Sequence, residues 1–228
     1  EHASGAPAVL KNRVSDLDRL PTDVAMQFFG VNISCAQCHD HKSDPISIED
    51  YYRLRAVFAN MEFPERKTQS SRAFLETDAQ PPPSFVMKKG DFRSPGEPVD
   101  PAFVRVVNPI GMAVSQPSSN SKTSGRRKAL SEWLTHPEHP LTARVIVNRI
   151  WQHHFGSPIV GTPNDFGILG DRPTHPELLD WLASELIAGD WSLKDLHRLT
   201  LQSATHRQVS RSTGDSWDWV LDKDPENR

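Results

Sequence analysis

The sequence predicts a mainly α protein in three parts: a helical segment over residues 1–63, a loop-rich stretch with a few short strands over 64–125, and a helical domain over 126–228. Three observations carry this. Apolar residues recur at three- and four-residue spacing on both sides of the middle stretch. Capping residues punctuate those runs, with Ser47, Thr174 and Ser192 at starts and Gly156 and Gly189 at ends. Turn-forming residues concentrate between them, in Pro81-Pro82-Pro83, in Ser94-Pro95-Gly96 and across residues 115–125.

Residues 1–21 are polar and mixed and read as a lead-in. A first helix is expected from Thr22 as cap, with Asp23 in its first turn and Val24, Phe28 and Val31 at helical spacing. Asp44-Pro45 marks a turn, and Ser47 with Asp50 gives a capping-box start to a helix striped by Tyr51, Leu54, Val57 and Phe58. In the middle stretch, residues 84–87 and 103–107 are β-prone and predict short strands. A helix carrying Ala129, Leu130, Trp133 and Leu134 stops before Pro137, and the next starts at Thr142 and ends at Gly156. Thr174-His175-Pro176-Glu177 has the capping-box pattern with proline in the first turn, and predicts a deeply buried helix with Leu178, Leu179, Trp181, Leu182, Leu186 and Ile187. Ser192 caps a last helix with Leu193, Leu196, Leu199 and Leu201.

Composition narrows the function classes. The 36% hydrophobic and 24% charged residues suit a globular chain with a real core. A net charge of −3, with 26 basic residues interspersed among 29 acidic ones, argues against nucleic acid as partner, and Arg126-Arg127-Lys128 is too short for a binding patch. No apolar run is long enough to span a membrane. No signal peptide is visible at Glu1-His2-Ala3-Ser4, and the chain is expected to be a piece of a longer polypeptide. G-x-S-x-G elbows, P-loops and dinucleotide fingerprints are missing from the sequence.

Both cysteines fall in Cys35-Ala36-Gln37-Cys38-His39, which is C-x-x-C-H, the attachment pattern for c-type haem. Two thiols at this spacing can form thioethers to the two haem vinyl groups, and the following His39 is placed as proximal iron ligand. Met61 competes with Met26, Met87 and Met112 for the distal position, and spacing does not choose among them. Two other chemistries use the same residues. Cys35, Cys38, His39 and His41 form C-x-x-C-H-x-H, whose thiolates and imidazoles suit zinc, although four ligands within seven residues are cramped. The cysteines can also pair as a disulfide or stay as inert thiols. His41 and Asp44 go beyond what a haem motif needs, and His41 is a candidate metal ligand, a second partner to a ligand, or a loop stabiliser through Asp44. A metal-dependent hydrolase is a third possibility, drawn from His153, His154, Asn164, Asp165 and His175, but ordinary turn chemistry and helix-start positions account for these residues better than catalysis does.

Longer stretches carry a family resemblance. Phe29-Gly30-Val31, Cys35-Ala36-Gln37-Cys38-His39-Asp40-His41-Lys42, Asp44-Pro45 and Asp50-Tyr51-Tyr52-Arg53 resemble the end of the second cytochrome-like domain of the planctomycete cytochrome C family. The planctomycete-specific domain of unknown function that follows it is similar to Asn148-Arg149-Ile150-Trp151-Gln152-His153-His154-Phe155-Gly156, to Thr162-Pro163-Asn164-Asp165-Phe166-Gly167, and to Pro173-Thr174-His175-Pro176-Glu177-Leu178-Leu179. The resemblance implies a cytochrome-c-like segment over 1–63 joined to that helical domain. It also implies export to the periplasm or cell surface, and a redox partner such as an adjacent cytochrome-like domain of the full-length protein. The expectation is therefore one covalent haem c, held by Cys35, Cys38 and His39, in electron transfer. The alternative is a helical binding or scaffold module with a zinc ion or disulfide at the same place.

Overall fold

The computed structural model describes residues 5–62, 75–76, 80–114, 122–208, 219 and 222–223, with side chains from Arg13 onward except at positions 62 and 75. It is mainly α. In chain order the elements are helix α1 (Gly5–Val24), running on into a π-helical turn (Ala25–Phe29), then a 3-10 turn (Ile33–Gln37) and helix α2 (Ile48–Ala56). Two small antiparallel pairs follow, β1 (Met61–Glu62) with β2 (Leu75–Glu76) and β3 (Ser84–Met87) with β4 (Pro95–Val99). Four helices complete the described chain: α3 (Arg126–Leu134), α4 (Thr142–Phe155), α5 (Pro176–Ala188) and α6 (Leu193–Gln202).

The expected lead-in is in fact helical from Gly5 onward, and Thr22 lies inside the helix rather than at its cap. Leu17, Leu20 and Val24 recur at three- and four-residue spacing and pack on the core, which outweighs the helix penalty of Pro21. The helix then loosens into the π turn and stops at Gly30 in the left-handed conformation, φ +60°. Helix α2 starts as expected: the Ser47 hydroxyl accepts from the Asp50 amide while the Asp50 carboxylate accepts from the Ser47 amide. Residues 84–87 are a strand, but residues 103–107 are not. Phe103 and Val104 are both buried, without the alternation of a half-buried strand, and a 3-10 turn follows at Arg105–Val107. The expected loop over 115–121 lies outside the described residues.

Thr142 is the first residue of α4 rather than its cap. That end is finished by His139, whose Nδ1 accepts from the Leu141 and Thr142 amides at 3.3 and 3.2 Å. Thr174 does not cap α5 either. Its hydroxyl and amide both bond to the Ile159 carbonyl, and the helix begins after His175 with Pro176 in its first turn. Nor is α5 buried all round, since Trp181 is 48% exposed while Leu179, Leu182 and Leu186 face inward.

The buried residues form two cores. One joins α1, the 3-10 turn, α2, Phe103, Val104 and helix α3. The other joins α4, α5, α6 and the Ile159-Val160 segment. Helix α3 therefore packs with the elements that precede the loop-rich stretch. Its Trp133 stacks on Phe103, with centroids 4.6 Å apart, and meets Phe29 edge-on at 5.9 Å.

Candidate functional site

The C-x-x-C-H sequence occupies the 3-10 turn and the residues just after it. Asn32 starts the turn, its side-chain oxygen accepting from the Ser34 amide at 3.0 Å. With three residues per turn, positions three apart lie above one another. Ile33 and Ala36 accordingly share the inner side and are fully buried. Cys35 and Cys38, also three apart, are both exposed and both free.

Gln37, between the cysteines, is anchored at two points. Its side-chain amide donates to Asp18 Oδ2 at 3.0 Å, and its carbonyl accepts from the Tyr52 hydroxyl at 3.0 Å. Asp18 in turn takes Arg55 Nε at 2.6 Å on its other oxygen, and its carbonyl accepts from the Tyr51 hydroxyl at 2.9 Å. Burial, reinforced by the nearby Asp18 charge, pushes the Tyr52 phenol up to about 12 and the Tyr51 phenol higher still, so both act as neutral donors. The turn after β3 lies over the second cysteine. A Cβ on Gly90, at φ +75°, would come 2.8 Å from Cys38 Sγ.

His39 is exposed, with Nδ1 2.6 Å from the Asp40 carbonyl. In the tautomer that donates this bond, Nε2 carries the lone pair and is directed away from the bonded edge. His41 has a different task. Its Nδ1 accepts from the Asp44 amide at 2.9 Å and stands 3.3 Å from the Asp44 carboxylate, while its own amide donates to Ile46. It is a loop stabiliser working through Asp44. Asp40 accepts from the Ile48 amide at 2.8 Å, which ties the motif to the start of α2. The nearby concavity of about 270 Å³, lined by Asp40, His41, Asp44, Ile46, Asp50 and Arg105, includes neither cysteine nor His39. Within it, burial would raise the Asp50 carboxyl, but hydrogen bonds from Arg105 and Ser47 outweigh that and hold it below the ordinary carboxylate range.

The zinc reading finds no assembled ligand set: among the described residues no three His, Cys, Asp or Glu side chains gather as a metal would need. The residues considered for a hydrolase do not converge on one point. Asn164 accepts from Arg149, the Asp165 carboxylate accepts from the Gly167 amide, His175 sits against the Thr174 hydroxyl, and His153 is exposed. His154 is the half-buried member of its pair, with Nε2 2.7 Å from His197 Nδ1; burial first, then the charges of His197 and His206, lower its pKa. Of the distal candidates, Met61 is buried in the first core at 3% exposure. Among the described residues, no helix is long and apolar enough to cross a membrane.

The residues around this site match two family models. Residues 3–63 match PSCyt2, a protein of unknown function (DUF1549), and residues 126–228 match PSD1, a protein of unknown function (DUF1553). The chain carries two planctomycete cytochrome C-associated domain matches. No curated protein and no solved structure matches it. The PSCyt2 match contains the whole C-x-x-C-H segment, and the PSD1 match begins with α3, the helix that completes the first core.

Sequence reasoning missed Asp18, Gln37, Tyr52 and Gly90 as supports of the motif. A Gly after two lysines gave a local sign of a turn, but nothing local indicated which side chain that turn would cover.

Proposed function

We propose that the PSCyt2-matching segment is the end of a cytochrome-like domain and carries one covalent c-type haem, in an exported protein that transfers electrons to a neighbouring redox domain. The observation that carries the reading is a pair of exposed, unbridged thiols, Cys35 in the 3-10 turn and Cys38 at its end, followed directly by an exposed histidine. These residues fit the group as donors. Cys35 and Cys38 would hold it as thioethers, and His39 would present Nε2 because Asp40 engages Nδ1. When bound, the haem supplies one-electron chemistry at its iron. The protein's part is to hold the turn still, through Gln37, Asp18 and Tyr52, and to set how much water reaches the cofactor. The exposure of Cys35, Cys38 and His39 favours a partly open haem, which lowers the potential and admits exogenous ligands.

The test is a reduced pyridine-haemochrome spectrum of the protein exported to a periplasm together with a cytochrome c maturation system. A spectrum of haem joined through two thioethers, lost in Cys35→Ala and Cys38→Ala, is the expected result. A colourless protein that is folded and exported overturns the proposal.

A further inference from the structure

We infer that the PSD1-matching part acts as a clamp that fixes both ends of the C-x-x-C-H segment, with Arg149 and Asp44 as positioning residues. The segment runs from Gly30 to Asp44, and each end is tied to the distant part of the chain.

At the leading end, the Arg149 guanidinium donates to the Gln27 carbonyl at 2.6 Å and to the Met26 carbonyl at 2.7 Å. These are carbonyls of a last helical turn, which a helix leaves without intrahelical donors. The same guanidinium donates to Asn164 Oδ1 at 3.1 Å, which couples α4 to the loop after it. That loop makes the next tie: the Phe166 amide donates to the Gly30 carbonyl at 2.8 Å, and a Cβ on Gly30 would come 2.8 Å from the Phe166 ring. At the trailing end, the Ile168 amide donates to Asp44 Oδ1 at 2.7 Å. One short loop of the second part thus grips residues on both sides of Cys35 and His39. Fixing the two ends of a short segment removes most of its conformational freedom, and so sets where its thiols and imidazole stand. The planar five-donor guanidinium suits this task, since lysine cannot reach two carbonyls and an amide oxygen in one fixed geometry.

The clamp acts on the segment with or without a cofactor, so it does not rest on the haem reading and is tested on the full chain without haem. Hydrogen exchange is followed in peptides covering residues 31–41 and, as reference, in α5. Arg149→Gln is expected to speed exchange over 31–41 by roughly tenfold, the effect of losing charge-assisted hydrogen bonds that hold a local opening closed, while α5 keeps its protection. Asp44→Ala is expected to do the same. Asp44→Asn, which keeps an acceptor for the Ile168 amide, is expected to stay near the original rate. Arg149→Lys gives a smaller effect of the same pattern and takes the place of Arg149→Gln if that variant does not fold. Unchanged exchange over 31–41 overturns the inference, and so does an equal rise in α5, which would mean a general loss of stability.

Discussion

The two cores are built differently. The second is aliphatic at its centre, with Val147, Ile159, Leu179, Leu182 and Leu186, and the buried polar side chains Asn148 and Thr200 of its helices are neutral and bond to nearby backbone, while Thr142 at the start of α4 bonds to the His139 ring. The first is aromatic and threaded with polar ties: Tyr51, Tyr52, Phe29, Phe103 and Trp133 sit beside buried Asp50, Arg55 and His139. Aliphatic packing supplies stability without strong directional demands. Buried hydrogen-bonded groups tolerate few alternative arrangements, because an unpaired one is costly. The rigid geometry is thus concentrated where the C-x-x-C-H turn is mounted.

The largest test of that contrast compares one truncation in each core. Trp133→Ala removes the stack on Phe103, the edge contacts with Phe29 and His139, and the Nε1 donation to Asn108, and is expected to cost about 3–5 kcal/mol. Leu186→Ala in the aliphatic core is expected to cost about 2–5 kcal/mol, toward the lower end where the aliphatic surroundings can close in. Urea unfolding of both variants measures the difference. A larger loss for Leu186→Ala would break the comparison.

A second test uses pH. Burial, aided by the His136 charge, lowers the His139 pKa to about 4. The unfolded chain binds a proton there below about 6.5, whereas the folded chain does not until about pH 4. The contribution of this group to stability is therefore fully present above pH 6.5 and is lost as pH falls from about 6.5 to 4, by about 3 kcal/mol at most. His139→Asn offers an oxygen to the same α4 amides without titrating, and thermal melts across that range should lose this part of the slope. If the slope persists, the acid sensitivity lies elsewhere.

The smallest effect concerns the turn over the motif. Gly90→Ala forces a residue into φ +75° and brings its Cβ against Cys38 Sγ, for an expected loss of about 1–2 kcal/mol. Exchange of the β3–β4 amides should rise with it while the second core stays protected.

Much of the helical layout was legible in the sequence because local chemistry decides it. Ser47 with Asp50, Ser192 before α6 and the stop of α3 before Pro137 are short-range signals, and the structure follows them. Thr22, Thr142 and Thr174 carried the same kind of signal and lost to other groups: the α1 stripe, the His139 ring three residues before Thr142, and the distant Ile159 carbonyl. The motif itself was plain from the spacing of its cysteines. Its supports were not, because Asp18, Tyr52, Gly90, Arg149 and Phe166 reach it across turns and across the chain, and no window of sequence contains both partners.

The exposure of Cys35 and Cys38 has a practical side. With no other cysteine in the chain, each thiol left open in the cell will take up one maleimide after purification. The intact mass then counts them: two additions for an empty motif, none for one whose sulfurs were already occupied. The chain keeps its own record of what happened to it before lysis.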